Sequence, residues 1–176
     1  MISGALVFDS SPLNYFCRAG CLDVLEQLTR GSPRFVTRAV RAEIEKGVAR
    51  YPELQQVLDA QWLGLVGEDP AVLQKFAEFS RQIGRSGKNV GEASVLAWAA
   101  VHQATAVIDD QAGYKLAKRH GIAVIRSLTL LAHAVRDGSL SEVGAETLVD
   151  LLRDSEAYFP TSGSDFIAWA HDQGFL

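Results

Sequence analysis

Cysteine is scarce in this chain of 176 residues: there are two, Cys17 and Cys21. They lie four apart in a stretch with helical spacing. Two are too few for a disulfide framework, and no second Cys or His pair accompanies them to hold zinc, so both are expected to be reduced and structural. Also missing is any apolar stretch near the roughly 20 residues that a membrane-spanning helix needs. The opening MISGALVFDSSP has neither the basic start nor the long apolar segment of a signal peptide. A soluble, cytoplasmic protein is the expectation. Basic residues are outnumbered, 17 against 21 acids, for a formal net charge of −4, which argues against a simple basic coat for nucleic acid. His102, His120, His133 and His171 are paired with no candidate nucleophile, and Ser10 is not in a nucleophile elbow. The stretch GRSGKN has glycines too closely spaced for a phosphate-binding loop, carries Asn89 after the lysine where Ser or Thr is needed, and follows a helix. No internal repeat or low-complexity linker divides the chain.

What is present is an alternation of apolar runs and helical patterns. Residues 5 to 8, ALVF, form a short continuous apolar run, as expected for a strand covered on both faces. Leu13, Phe16, Leu22, Leu25 and Leu28 then fall at helical spacing, in one helix or two, before the breaker Gly31-Ser32-Pro33. Arg34 to Val36 reads as a second strand, and Thr37 as the N-cap of a helix holding Val40, Glu43 and Ile44. A short helix near residues 53 to 60 leads to a third strand, Trp62 to Val66. Asp69-Pro70 opens the next helix, with Val72, Leu73, Phe76, Phe79 and Ile83 as its buried stripe. A helix from Val90 to His102, a strand from Thr105 to Asp109, a helix from Ala112 to His120 and a strand from Ile122 to Ile125 follow. Residues 126 to 176 read as helices: Leu128 to Arg136, one around Glu146 to Leu152, and one after Ser164. The order predicts an α/β fold, a parallel five-stranded sheet with helices on both faces in three α/β/α layers. One domain is expected, with a core over about residues 1 to 126 and a helical C-terminal extension over about 127 to 176.

In open parallel sheets functional groups gather beyond the carboxyl ends of the strands, where the strand order reverses. Asp9 closes the first strand and the adjacent Asp109 and Asp110 close the fourth, so neighbouring strands would bring these carboxylates together. Glu43 lies among apolar helical residues, and Glu92 stands in the first turn of the apolar helix GEASVLAWAAV. Each has an ordinary reading: the aspartates as a turn and an N-cap, Glu43 as a solvated helix residue, Glu92 as an acid complementing the helix dipole. Their occurrence together in this order points elsewhere. Carboxylates crowded into one cleft repel unless something offsets them. Hard oxygen ligands without histidine or thiolate at suitable spacing indicate Mg2+ or Mn2+. The matching chemistry is metal-assisted attack of water on a phosphodiester. Without these five acids the formal charge of −4 becomes +1, so a polyanionic substrate is not excluded.

The segments LVFDSSPL, FVTRAVRAEI, VGEASVLAWA and AVIDDQAGYKLAKRHGIAVI, over roughly residues 4 to 126, resemble those of the PIN-domain nucleases, and their wording resembles the VapC-like bacterial toxin branch. The tail SLTLLAHAVRDGSLSEV looks like the extension of a subgroup. The resemblance implies a sheet in the order 3-2-1-4-5 and a Mg2+-dependent endoribonuclease that leaves a 3′-hydroxyl and a 5′-phosphate. It further implies the toxin role of a type II toxin–antitoxin pair, a cognate antitoxin partner and a homodimer. By position it carries over Asp9, Glu43 and Glu92 as catalytic, metal-binding acids. Asp110 is the favoured fourth and Asp109 the alternative. Many relatives have a threonine two residues before this aspartate, whereas Ile108 stands there, and Glu92 replaces a frequent aspartate. Ser10 or Ser11 would orient Asp9 or a water. Arg34, Arg38, Arg41, Lys46 and Arg50, with Arg81, Arg85 and Lys88, read as a solvated basic face or as a rim that tracks phosphates. Trp98 and Trp169 are expected in the core or a dimer interface. Two rivals stand beside the nuclease: a catalytically silent module binding an antitoxin-like protein or RNA, and a metal phosphatase, disfavoured because Ser11 occupies the position of its second aspartate.

Overall fold

A computed structural model describes residues 4–67, 69–83 and 89–176. Arg85 and Lys88 of the expected basic rim therefore lie outside the described residues. Five parallel strands form one sheet in the order β3-β2-β1-β4-β5. They are β1 (Leu6–Phe8), β2 (Arg34–Val36), β3 (Gly64–Leu65), β4 (Thr105–Val107) and β5 (Val124–Ile125). The central strand β1 pairs Leu6 with Arg34 on one side and with Thr105 on the other. All three of its residues are fully buried, which is what a continuous apolar run dictates.

The helices are α1 (Ser10–Arg18), α2 (Leu22–Leu28), α3 (Arg38–Gly47), α4 (Gln55–Asp59), α5 (Pro70–Ile83), α6 (Val90–His102), α7 (Gln111–Arg119), α8 (Ser127–Arg136), α9 (Glu142–Asp154) and α10 (Phe166–Asp172). One group of helices joins α5, α6 and α7, another α1, α2, α8, α9 and α10, and α3 touches both α1 and α6. Helix α6 is buried on nearly every side from Gly91 to Ala99, packed against β1, β4, α3, α5 and α7. That is why its sequence is apolar all round rather than striped. Thr37 caps α3 by accepting the Val40 N–H at 3.2 Å, and Asp69 caps α5 by accepting that of Val72 at 2.9 Å.

Strand β4 ends at Val107 rather than Asp109 and β5 begins at Val124 rather than Ile122, and three further expectations need correcting. The third strand spans only Gly64 and Leu65, because Trp62 turns to meet Phe8 edge-on, at 6.3 Å between ring centroids, and to lie under the Arg34 guanidinium. In the α5 stripe Val72 and Phe79 are buried, but Leu73 is 49% exposed, on the rim of a shallow apolar hollow that it shares with Val90. The helix expected around Glu146 begins at Glu142, because Ser141 caps it through the Gly144 N–H at 3.0 Å.

The C-terminal helices pack onto this body. Leu131, Val149 and Phe166 are fully buried in the same apolar cluster as β1. The Arg18 guanidinium meets the Glu156 carboxylate at 2.9 Å, and the Ser155 hydroxyl donates to the Tyr15 carbonyl at 3.1 Å. Cys17 and Cys21 are buried and unbridged. Among the described residues no helix is long and apolar enough to cross a membrane.

Candidate active site

The candidate acids meet at the carboxyl edge of the sheet. The ladder delivers the first: the Asp9 N–H donates to the Val107 carbonyl at 3.0 Å, so Asp9 stands where β1 and β4 end side by side. Its carboxylate caps α1 by accepting the Ser11 N–H at 3.3 Å. The side chain is buried, and this burial raises its pKa to about 6; the N–H groups of Ser10 and Ser11 oppose the rise and the charge of Glu43 adds to it.

Glu43 projects from α3 and is held at both oxygens. The Ser10 hydroxyl donates to one at 2.9 Å and the Gly91 N–H to the other at 2.9 Å. Asn89, the residue before α6, makes no side-chain capping bond, so Glu43 satisfies a free N–H of that helix from the neighbouring α3. A side chain at Gly91 would put Cβ 2.7 Å from both Glu43 oxygens. Below this contact the Thr37 and Ser94 hydroxyls are 2.7 Å apart, tying the start of α3 to the first turns of α6.

Glu92 is 7% exposed, and its Oε1 is buried with no hydrogen-bond partner. Burial, then the charges of Asp110, Asp9 and Glu43, raise its pKa to about 7. Gly113 of α7 makes room for this carboxylate: a Cβ there would stand 1.9 Å from Glu92 Oε1. Asp110 caps α7, its Oδ1 accepting the N–H groups of Ala112 at 2.7 Å and Gly113 at 3.2 Å, and it remains exposed.

Asp109 does different work. Its two oxygens accept the Ser127 N–H at 2.8 Å and the Ser127 hydroxyl at 2.6 Å, at the start of α8. Burial pushes its carboxyl up, and the Ser127 donors and the Arg126 charge oppose that. The structure thus brings Asp9, Glu43, Glu92 and Asp110 into one electrostatic group and commits the Asp109 carboxylate to the base of the C-terminal helices. Of the two serines, Ser10 orients Glu43, whereas Ser11 meets Asp9 through its backbone N–H and its side chain. The basic series is largely engaged elsewhere: Arg34 with Trp62 and the Glu26 carbonyl, Arg41 with Glu45, Arg50 with Tyr51. Arg38, in the first turn of α3, and Lys46 are exposed. Sequence reasoning missed Gly91 and Gly113. Their signal was glycine inside a helix, which costs about 1 kcal/mol relative to alanine and often marks a close approach.

These donors suit a hard divalent cation. They are all carboxylates, one buried oxygen has no partner, and two glycines leave the space in which the carboxylates sit. Among the described residues, no group of three or more His, Cys, Asp or Glu side chains is arranged so as to hold a metal ion as it stands. The acids share a field rather than a finished coordination shell.

A parallel α/β sheet with acids from four elements at its carboxyl edge places them where open sheets carry their functional groups. A family model described as DUF3368, PIN domain, matches residues 5–166, which takes in most of the C-terminal helices, and the chain belongs to the PIN-domain family. PIN domains are typically nucleases and generally use divalent metals. No curated protein matches the chain.

Proposed function

We propose that the protein is a Mg2+- or Mn2+-dependent endoribonuclease that hydrolyses RNA phosphodiester bonds to a 3′-hydroxyl and a 5′-phosphate. The observation that carries this reading is Glu92, a buried carboxylate with an unpartnered oxygen facing three further acids at the edge of the sheet. Asp9, Glu92 and Asp110 would hold the ion, with Glu43 completing the set. When bound, such an ion offsets the mutual repulsion of the acids, orients the phosphate and makes water a better nucleophile. The chain's own contribution is placement. The α1 cap fixes Asp9, Ser10 and the Gly91 N–H fix Glu43, and Gly113 lets Glu92 lie between α6 and α7. A carboxyl with a pKa of about 7 can hold a proton near neutrality, so Glu92 is suited to exchange one with solvent as the cleft fills. The exposed Arg38 sits at a helix N-terminus, where a cation gains nothing from the helix dipole but can meet a phosphate.

The motif resemblance supports a toxin role, with a cognate antitoxin as partner, a homodimer as the assembly and the cytoplasm as location. The test is cleavage of a mixed RNA pool with and without chelator, with Asp9→Asn as control. We expect chelator-sensitive cleavage that Asp9→Asn abolishes while its circular dichroism is unchanged. Full activity in that variant rules out the role given to Asp9. If RNA stays intact with metal present and Mg2+ fails to raise the melting temperature, the silent binding module is the better reading.

A further inference from the structure

Near the acid group lies a hollow of about 190 Å³, between α7, the junction of β5 with α8, and the C-terminal segment. Tyr114, Arg126, Phe159, Trp169 and Gln173 line it, together with Asp109. We propose that this hollow seats one nucleobase of a single-stranded RNA substrate, next to the bond being cut; the proposal rests on the nuclease reading above.

Three observations carry it. The Arg126 guanidinium lies 4.1 Å from the centroid of the Tyr114 ring and donates from Nη2 to the Gln111 side chain, yet its Nε is buried with no hydrogen-bond partner. A buried N–H without an acceptor costs free energy, and an acceptor on a ligand would recover it. Tyr158 stands at the mouth 95% exposed, an unpartnered aromatic ring beside the buried Phe159. Aromatic rings and arginine planes around a slot are how unpaired bases are held, by stacking and by hydrogen bonds to their edges. Finally, the hollow lies near the acid group. Asp109 lines it and Asp110 belongs to the acid group. Tyr15, which feels the charges of Asp109, Asp9 and Asp110, packs edge-on against Phe159 at 6.3 Å.

The chemistry selects a base over a phosphate or a larger ligand. Asp109 faces the same hollow as Arg126 and offsets its charge, which disfavours an anion but suits the mixed donors and acceptors of a base edge. The volume falls below the roughly 300 Å³ at which pockets for drug-sized molecules begin, leaving room for a planar ring rather than a whole nucleotide.

The test uses the full chain with chelator present, so that no cleavage occurs, and a short single-stranded oligoribonucleotide of mixed sequence. Binding is read by anisotropy and by the emission of Trp169 on the wall of the hollow. We expect quenching in the wild-type protein that Trp169→Phe removes. Tyr158→Ala and Arg126→Gln should each weaken binding about five- to a hundredfold, the range of one base–aromatic stack. Tyr158 packs on little, so that variant keeps the test open should Arg126→Gln misfold. Unchanged affinity in Tyr158→Ala and any folded Arg126→Gln overturns the proposal, whether the cleft alone holds the strand or a protein covers the hollow. So does a wild-type protein that binds no oligonucleotide. If binding depends on these residues but RNA is never cleaved with metal present, the base seat stands and the nuclease reading falls.

Discussion

Gly113→Ala is expected to leave the protein folded and remove most of its activity. Gly113 lies inside α7 with ordinary helical geometry, so alanine by itself would favour the helix by about 0.8–1.0 kcal/mol. Against that, the new Cβ would stand 1.9 Å from Glu92 Oε1, 2.6 Å from its Cδ and 2.8 Å from its Cγ. The whole end of the side chain is overlapped, not a flexible tip. Either Glu92 leaves its rotamer, at about 0.5–1.5 kcal/mol, or α7 moves off α6, at about 1–3 kcal/mol for overpacking. The net effect lies between about zero and 2 kcal/mol of destabilisation, a fall in melting temperature of at most about 8 °C for a chain of this size. Cleavage should fall about 100-fold or more, the cost of a displacement of roughly 1 Å at a reacting centre.

The refutation comes from a double-mutant cycle. With Glu92→Ala in place the overlap is gone, and Gly113→Ala should then stabilise the protein by about 1 kcal/mol, reversing its sign. Thermal melts of the four proteins measure the cycle, and initial rates on RNA measure the loss of activity. Wild-type rates in Gly113→Ala, or the same destabilisation in both backgrounds, would show that Glu92 does not lie against α7 as described.

Two further outcomes follow from the same geometry. Asp9 and Glu92 have pKa values raised by burial to about 6 and about 7, so the folded protein binds more protons than the unfolded chain between the ordinary carboxylate range and these values. Their stabilising contribution is complete at low pH and is lost as pH rises from the ordinary carboxylate range to about 6 for Asp9 and about 7 for Glu92, about 3 kcal/mol from Asp9 alone. Melting in chelator should therefore be lower at pH 8 than at pH 5, and added Mg2+ should flatten the slope; a profile that rises with pH refutes this. The second outcome separates the tandem acids. Asp110→Asn should cut cleavage with a small change in melting temperature. Asp109→Asn should weaken a buried carboxylate's hydrogen bonds to Ser127, with a loss on the order of 1.5–3 kcal/mol in melts and a smaller effect on rate. The opposite pattern would reverse their roles.

The meeting of acids at one edge was legible because it follows from patterns that sequence carries directly: apolar runs, caps, and acids after the first and fourth strands; the strand order rested on the motif resemblance. Thr37 and Asp69-Pro70 announced the helices they cap. What could not be read depends on contacts between distant segments. Strand β3 is short because Trp62 finds Phe8 and Arg34, and no window around residue 62 contains either. The exposure of Leu73 was hidden for the same reason: five apolar residues at helical spacing cannot say which of them the neighbouring helix reaches. Gly91 and Gly113 went unread because their role lies in the carboxylates of Glu43 and Glu92 packed on them from other segments.

The adjacent aspartates show why one residue could not have served in place of two. Beyond β4 the chain meets two helix N-termini, those of α7 and α8, and each presents free N–H groups that favour a carboxylate. Successive residues of an extended chain point to opposite sides, so two consecutive acids can address two helices where one cannot. Asp109 takes the buried direction, and both its oxygens are used by Ser127. That fixes α8, and with it Arg126 and the wall of the second hollow, relative to the sheet. Asp110 takes the exposed direction, spends Oδ1 on α7, and so holds Gly113 against Glu92 while its charge acts on the same group. Like charges side by side are tolerable because each is stabilised by a different helix end. The repulsion that remains lies among Asp110, Asp9, Glu43 and Glu92, which is where a divalent cation would relieve it.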